Sequence, residues 1–111
     1  MIKPKPPTGT QIQDQLIELG QTLGWRVAHF KPARLQSGNW VTPFTADGKG
    51  FPDLVMVKDG KILAWECKST YEKVKPDQML WLEAFATIEA CDSRIVRPTD
   101  VDECIKILEG K

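Results

Sequence analysis

At 111 residues the chain can bury one substantial core but not two. With 41% hydrophobic and 27% charged residues it has the balance of a folded domain, which excludes global disorder, and it has no apolar run of bilayer-spanning length. Basic and acidic side chains cancel at fifteen each, yet residues 26–75 hold nine Lys/Arg against five Asp/Glu, which leaves six against ten in the rest of the chain. That pattern suits a positive face turned towards a polyanion, but surface scatter produces it as readily, so charge alone decides nothing.

The chain opens Met1-Ile2-Lys3-Pro4-Lys5-Pro6-Pro7, with charge but no apolar segment behind it. It does not read as a secretory signal, and the expected address is the cytoplasm. Residues 1–9 are rich in Pro and Lys and end in Gly, as a flexible arm would be, ahead of a single domain over 10–111. Thr8 or Thr10 can cap the helix that follows; Ile12, Leu16, Leu19 and Leu23 form its apolar stripe and Gly24 stops it. Residues 25–30, poor in helix formers and rich in β-formers, predict a first strand. His29 lies on it, and a lone strand histidine reads as a hydrogen-bonded structural residue.

Residues 31–50 carry Pro32, Gly38, Pro43, Gly48 and Gly50 among Lys31, Arg34, Trp40, Phe44 and Lys49. A loop of this length in so small a domain is either functional or a floppy insertion. Lys31, Arg34, Trp40 and Lys49 are the candidates for nucleic-acid contact, because aromatic rings stack on bases and cations hold phosphates. Two strands, 53–57 and 62–66, then flank Lys58-Asp59-Gly60-Lys61, and Asp-Gly between apolar β-rich runs is a strong hairpin signal. Pro76-Asp77 opens a second helix, with Met79, Leu80, Leu82, Phe85, Ala86 and Ile88 as a broad apolar face. Arg94-Ile95-Val96-Arg97 is a short strand, and Pro98-Thr99-Asp100 leads into a last helix with Val101, Ile105 and Leu108 on its core side. The order αβββαβα describes a layered α/β domain without internal repeats. Trp25, Trp65 and Trp81 fall on periodic elements and belong to core or interface, whereas Trp40 sits in the loop. The three cysteines (Cys67, Cys91, Cys104) form no C-x-x-C pair and read as buried thiols.

The hairpin carries the chemistry. Asp53 stands where its first strand begins and Glu66, Cys67 and Lys68 where its second ends, and an antiparallel pair sets those places side by side. Alternation puts Glu66 and Lys68 on one face and turns Cys67 to the other. Carboxylate oxygens from Asp53 and Glu66, helped by the Cys67 backbone carbonyl, suit Mg²⁺ or Mn²⁺. Lys68 can orient a water or stabilise developing negative charge. The plain alternative is a surface salt bridge at a sheet rim, which chance supplies often.

With Gly50-Phe51-Pro52-Asp53, Glu66-Cys67-Lys68 and Lys75-Pro76-Asp77-Gln78 in view, the chain resembles the PD-(D/E)XK nucleases. More closely it is similar to the virus-type replication-repair nuclease (VRR-NUC) domain, over nearly all the chain after the arm. The resemblance implies a restriction-endonuclease-like core in the order αβββαβ with an extra C-terminal helix. It also implies metal-dependent DNA cleavage and, for stand-alone members, a homodimer acting on branched DNA such as four-way junctions. Asp53 and Glu66 match the metal ligands, Lys68 the catalytic lysine, and Gln78 a glutamine beside the active site. Many relatives place a further ligand, a glutamate, on the first helix. Here the corresponding position holds Gln13, a candidate metal residue that can bind a metal-held water, and the neighbouring Asp14 and Glu18 sit at helix angles that turn them away. The departure leaves a catalytically inactive nucleic-acid-binding module as the alternative, with a protein-interaction domain as a third reading. No feature implies a membrane.

Overall fold

The computed structural model describes residues 4–30 and 33–111. Helix α1 (Gly9–Thr22) starts at Thr8, whose Oγ1 accepts the Gln11 N–H at 3.1 Å while Gln11 Oε1 accepts the Thr8 N–H at 2.9 Å. This reciprocal pair satisfies two otherwise orphaned donors and decides between Thr8 and Thr10 as the cap. Ile12 and Leu16 are buried, and the helix ends at Leu23 before Gly24, which has φ 90°. Gly9, the last residue of the expected arm, is the first of the helix and is buried.

Strand β1 (Arg26–Ala28) is shorter than predicted and leaves Phe30 64% exposed beyond its end. The long segment after it is not featureless: β2 (Ala33–Arg34) and β3 (Trp40–Val41) pair as a separate two-stranded ribbon. Strands β4 (Leu54–Lys58) and β5 (Lys61–Cys67) form the expected hairpin. Asp59 (φ 48°) and Gly60 (φ 79°) make its turn, and two successive positive φ values match the twist of the flanking strands. Helix α2 (Pro76–Ala86) then leads to β6 (Cys91–Val96), a 3₁₀ turn (Pro98–Asp100) and α3 (Val101–Leu108).

The main sheet runs β1-β4-β5-β6, antiparallel except for the parallel β5–β6 pair, whose crossover is α2. Strand β6 begins three residues before the predicted Arg94 because Cys91-Asp92-Ser93 pair with Ile62-Leu63-Ala64. Asp92 hides this from hydropathy, and in the fold it is occupied by the Trp65 indole N–H at 2.8 Å and by Arg94.

One sheet face, with Leu54, Met56, Leu63, Trp65, Cys67 and Val96, packs on Ile12 and Leu16 of α1 and Cys104 and Leu108 of α3. On α3, Ile107 joins this core and Ile105 does not, a correction to the predicted core side. The opposite face carries Ala64 and Glu66 and receives α2, where the Ser93 hydroxyl donates to the Leu82 carbonyl at 2.7 Å. Only Leu82 of the predicted α2 stripe is buried; Leu80 is 65% and Ile88 46% exposed, because α2 meets the sheet along one narrow line. Trp81 and Phe85 pack on Phe51 of the preceding loop instead, with ring centroids at 5.0 and 5.9 Å. Cys67 and Cys104 are buried as expected, whereas Cys91 is half-buried. Among the described residues no helix is long and apolar enough to cross a membrane. The domain is therefore a mixed α/β fold with a four-stranded sheet between α1/α3 and α2.

Candidate active site at the ends of two interior strands

Asp53 lies immediately before β4, whose first residue Leu54 pairs with Trp65, so Asp53 comes opposite Glu66. Its Oδ2 accepts the Cys67 N–H at 2.8 Å and closes the end of the hairpin. The backbone of Asp53 is held from the other side, where its carbonyl lies 2.9 Å from His29 Nδ1, the atom that carries the proton in this contact. His29 is thus the hydrogen-bonded structural residue anticipated, and its partner is the approach to the site. Because β4 and β5 are interior strands, the site occupies their ends and not a free edge of the sheet.

Glu66 and Lys68 share the α2 face and are 2% and 4% exposed, deep for two ionisable side chains. Lys68 Nζ lies 3.8 Å from Glu66 Oε2 and 3.3 Å from Glu72 Oε2. Gln78 reaches the same carboxyl: its Nε2 donates to Glu66 Oε2 at 3.2 Å. Its orientation is set by helix capping, since Gln78 Oε1 accepts the Lys75 N–H at 2.9 Å and leaves only the amide nitrogen to face Glu66. The other carboxyl oxygen, Glu66 Oε1, is buried with no hydrogen-bond partner among the described residues.

Removal from water, then the charge of nearby Asp53, push the Glu66 carboxyl from 4.5 up to about 8. The Lys68 ammonium opposes this and loses. Burial likewise raises the Cys67 thiol far above its ordinary value, so the residue contributes its backbone and not its sulfur. The Cys67 carbonyl faces the start of α1, where a Cβ added to Gly9 would lie 2.8 Å from the carbonyl oxygen. Gln13 is half-buried one turn beyond Gly9 on the same side of α1. Asp14 and Glu18 are exposed and line a separate groove with His29, as their helix angles indicated.

Among the described residues no group of three or more His, Cys, Asp or Glu side chains could hold a metal ion. A divalent cation here would rest on two carboxylates, Asp53 and Glu66, with the Cys67 carbonyl and water completing the shell. That set fits a hard, well-hydrated ion such as Mg²⁺ or Mn²⁺, and the unpartnered Glu66 oxygen is the atom such an ion would satisfy.

The fold therefore brings together Asp53, Glu66, Cys67, Lys68 and Gln78. It does not bring the loop candidates into this cluster. Arg34 lies 5.9 Å over the Trp40 ring on the separate ribbon, and Trp40 is 66% exposed. Lys49 pairs with Asp77 at 3.5 Å at the start of α2, and Lys31 lies outside the described residues. Sequence reading placed Gly50 in the approach but missed its packing: Gly50 has φ 83°, and a Cβ there would lie 2.6–2.8 Å from Asp77 atoms. It also missed the Trp81 indole N–H, which donates to the Asp47 carbonyl at 2.8 Å and ties the loop to α2. Glu72 had one legible signal, its spacing of four residues from Lys68; Arg97 had none. No family model and no curated protein matches the chain.

Proposed function

We propose that the chain is a divalent-metal-dependent DNA endonuclease with a PD-(D/E)XK core of the VRR-NUC kind. The observation that carries this reading is the group of half-buried Asp53 with buried Glu66 and Lys68, in which Glu66 keeps an oxygen without a partner among the described residues and Gln78 holds its other one. A surface salt bridge has no reason to leave a buried carboxyl oxygen unsatisfied, whereas a cation site does. The chemistry an ion supplies when bound here is polarisation of a phosphate oxygen and acidification of a nearby water. The protein's own contributions follow from its contacts. The Cys67 N–H fixes the orientation of Asp53, Gln78 fixes that of Glu66, and Lys68 presents a buried positive charge where a phosphodiester's developing negative charge would lie. Branched DNA is the expected substrate and a homodimer the expected assembly, since paired cuts in a junction need two sites related by a twofold axis.

The second reading is a catalytically inactive nucleic-acid-binding module. Gln13 in place of a first-helix acid favours it, as does a side-chain ligand set limited to two carboxylates among the described residues. Incubating the protein with labelled four-way junction, flap, single strand and duplex, each with Mg²⁺, Mn²⁺ or EDTA, separates the two. The nuclease reading expects metal-dependent cutting that Asp53→Asn and Lys68→Ala abolish without loss of fold. Salt-sensitive binding without any cutting supports the inactive module.

A further inference from the structure

Lys68 has a side chain that is 5% exposed and ends in an ammonium with three N–H donors. Glu66 Oε2, at 3.8 Å, is close enough for charge attraction but not for a hydrogen bond. Among the described residues, the hydrogen bond that Nζ does make runs to Glu72 Oε2 at 3.3 Å. Glu72 lies on the turn over residues 69–75, between β5 and α2, and its Oε1 accepts the Ser69 N–H at 3.5 Å.

The turn is held from the end of the neighbouring strand. Arg97 Nη1 donates to the carbonyl oxygens of Ser69 (2.8 Å), Thr70 (3.4 Å) and Glu72 (2.9 Å). Arg97 is itself fixed: it follows Val96, whose carbonyl accepts the Lys68 N–H at 2.9 Å, and its own N–H donates to Asp100 Oδ2 at 2.9 Å. A guanidinium spanning three carbonyls of one turn leaves that turn few alternative shapes.

We propose that Glu72 is a positioning residue that sets the place of the Lys68 ammonium, and that Arg97 acts through it by fixing the turn. The catalytic role of Lys68 rests on the nuclease reading; the placement does not. A half-exposed carboxylate paired with a lysine is ordinarily worth little, because both side chains lose freedom and water screens the pair. Here the lysine is buried and the turn already pinned, so most of that freedom is lost before the pair forms.

The test uses the full chain and the variants Glu72→Gln, Glu72→Asp, Arg97→Gln and the Glu72→Gln/Arg97→Gln double. Acylation of Lys68, followed by mass spectrometry in EDTA without DNA, reads its placement. Cleavage kinetics with Mg²⁺ read the consequence. Glu72→Gln and Arg97→Gln should each raise Lys68 labelling several-fold. Each should lower kcat by about tenfold with KM unchanged, the pattern of an interaction used in the transition state. Glu72→Asp should restore part of both losses, and the double variant should be no worse than the poorer single, because the two residues act in one chain of contacts. Unchanged Lys68 labelling in folded Glu72→Gln overturns the proposal, as does faster cleavage, which would make Glu72 a competitor and not a support. If wild type fails to cut any DNA while Glu72→Gln still exposes Lys68, the nuclease reading falls and the positioning stands. Should Arg97→Gln unfold, Glu72→Gln alone decides the matter.

Discussion

Glu66 concentrates the electrostatic cost of the site in one side chain. Its carboxyl is pushed up to about 8 in the folded chain, against 4.5 when unperturbed, so between those values the native state holds a proton that the unfolded state has released. Stability of the metal-free protein should therefore fall as pH rises through that window, by a few kcal/mol at most, and level off above it. Glu66→Gln cannot ionise and should lose the slope, being more stable than wild type at alkaline pH in EDTA. Denaturant titrations at several pH values check this, and identical flat profiles for the two proteins would remove the buried-acid argument. In wild type, Mn²⁺ should restore stability most at the alkaline end, where the carboxylate is charged and lacks a partner for Oε1.

At the scale of elements, the two glycines around β4 separate backbone conformation from packing. Gly60 has φ 79° and no atom within 4 Å of an added Cβ, so Gly60→Ala should cost about 1 kcal/mol from conformation alone. It lies at the far end of the hairpin from Asp53, and cleavage by the folded variant should be normal. Gly50 has a similar φ of 83°, but its Cβ would meet the Asp77 backbone at 2.6 Å. Gly50→Ala should cost roughly 2–4 kcal/mol and displace the start of α2, carrying Gln78 away from Glu66. Thermal melts and cleavage rates of the pair provide the check; equal stability losses would mean that α2 does not press on this loop. The local design of both turns was visible in Asp59-Gly60 and Gly50-Phe51-Pro52, but the second function of Gly50 depends on a helix that begins 26 residues later.

Across the whole molecule, Phe30, Trp40 and Phe44 are 54–66% exposed, with Arg34 over the Trp40 ring. Arg34 and Trp40 stand on the separate ribbon, while Phe30 packs edge-on against Phe51 at 6.3 Å; exposed aromatic and basic side chains of this kind suit a nucleic-acid contact. Trp40→Ala should weaken DNA binding without changing the melting temperature. Arg34→Ala should also reduce the dependence of log Kd on log salt by about one ion if the side chain meets a phosphate. Binding isotherms at several salt concentrations test both, and unchanged affinity in each would confine DNA contact to the faces around Asp53.

What the sequence determined by itself is what neighbouring residues decide together. A threonine cap at Thr8 or Thr10, the Asp59-Gly60 turn, the alternation that separates Cys67 from Glu66 and Lys68, and the start of α2 at Pro76 each arise within a few residues, from backbone geometry and donor count. Hydropathy was a poorer guide where an element is only partly covered. It overstated the buried face of α2 and missed the first half of β6, because Leu80 found no layer above it and Asp92 found Trp65 and Arg94. Only the tertiary structure decided that Glu66 would be buried with one oxygen unpartnered among the described residues, that Gly50 would lie against Asp77, and that Arg97 would pin the turn carrying Glu72. The physical reason is that burial and desolvation belong to the packed layers: a carboxylate next to a lysine in sequence is an ordinary ion pair until a sheet and a helix close over it.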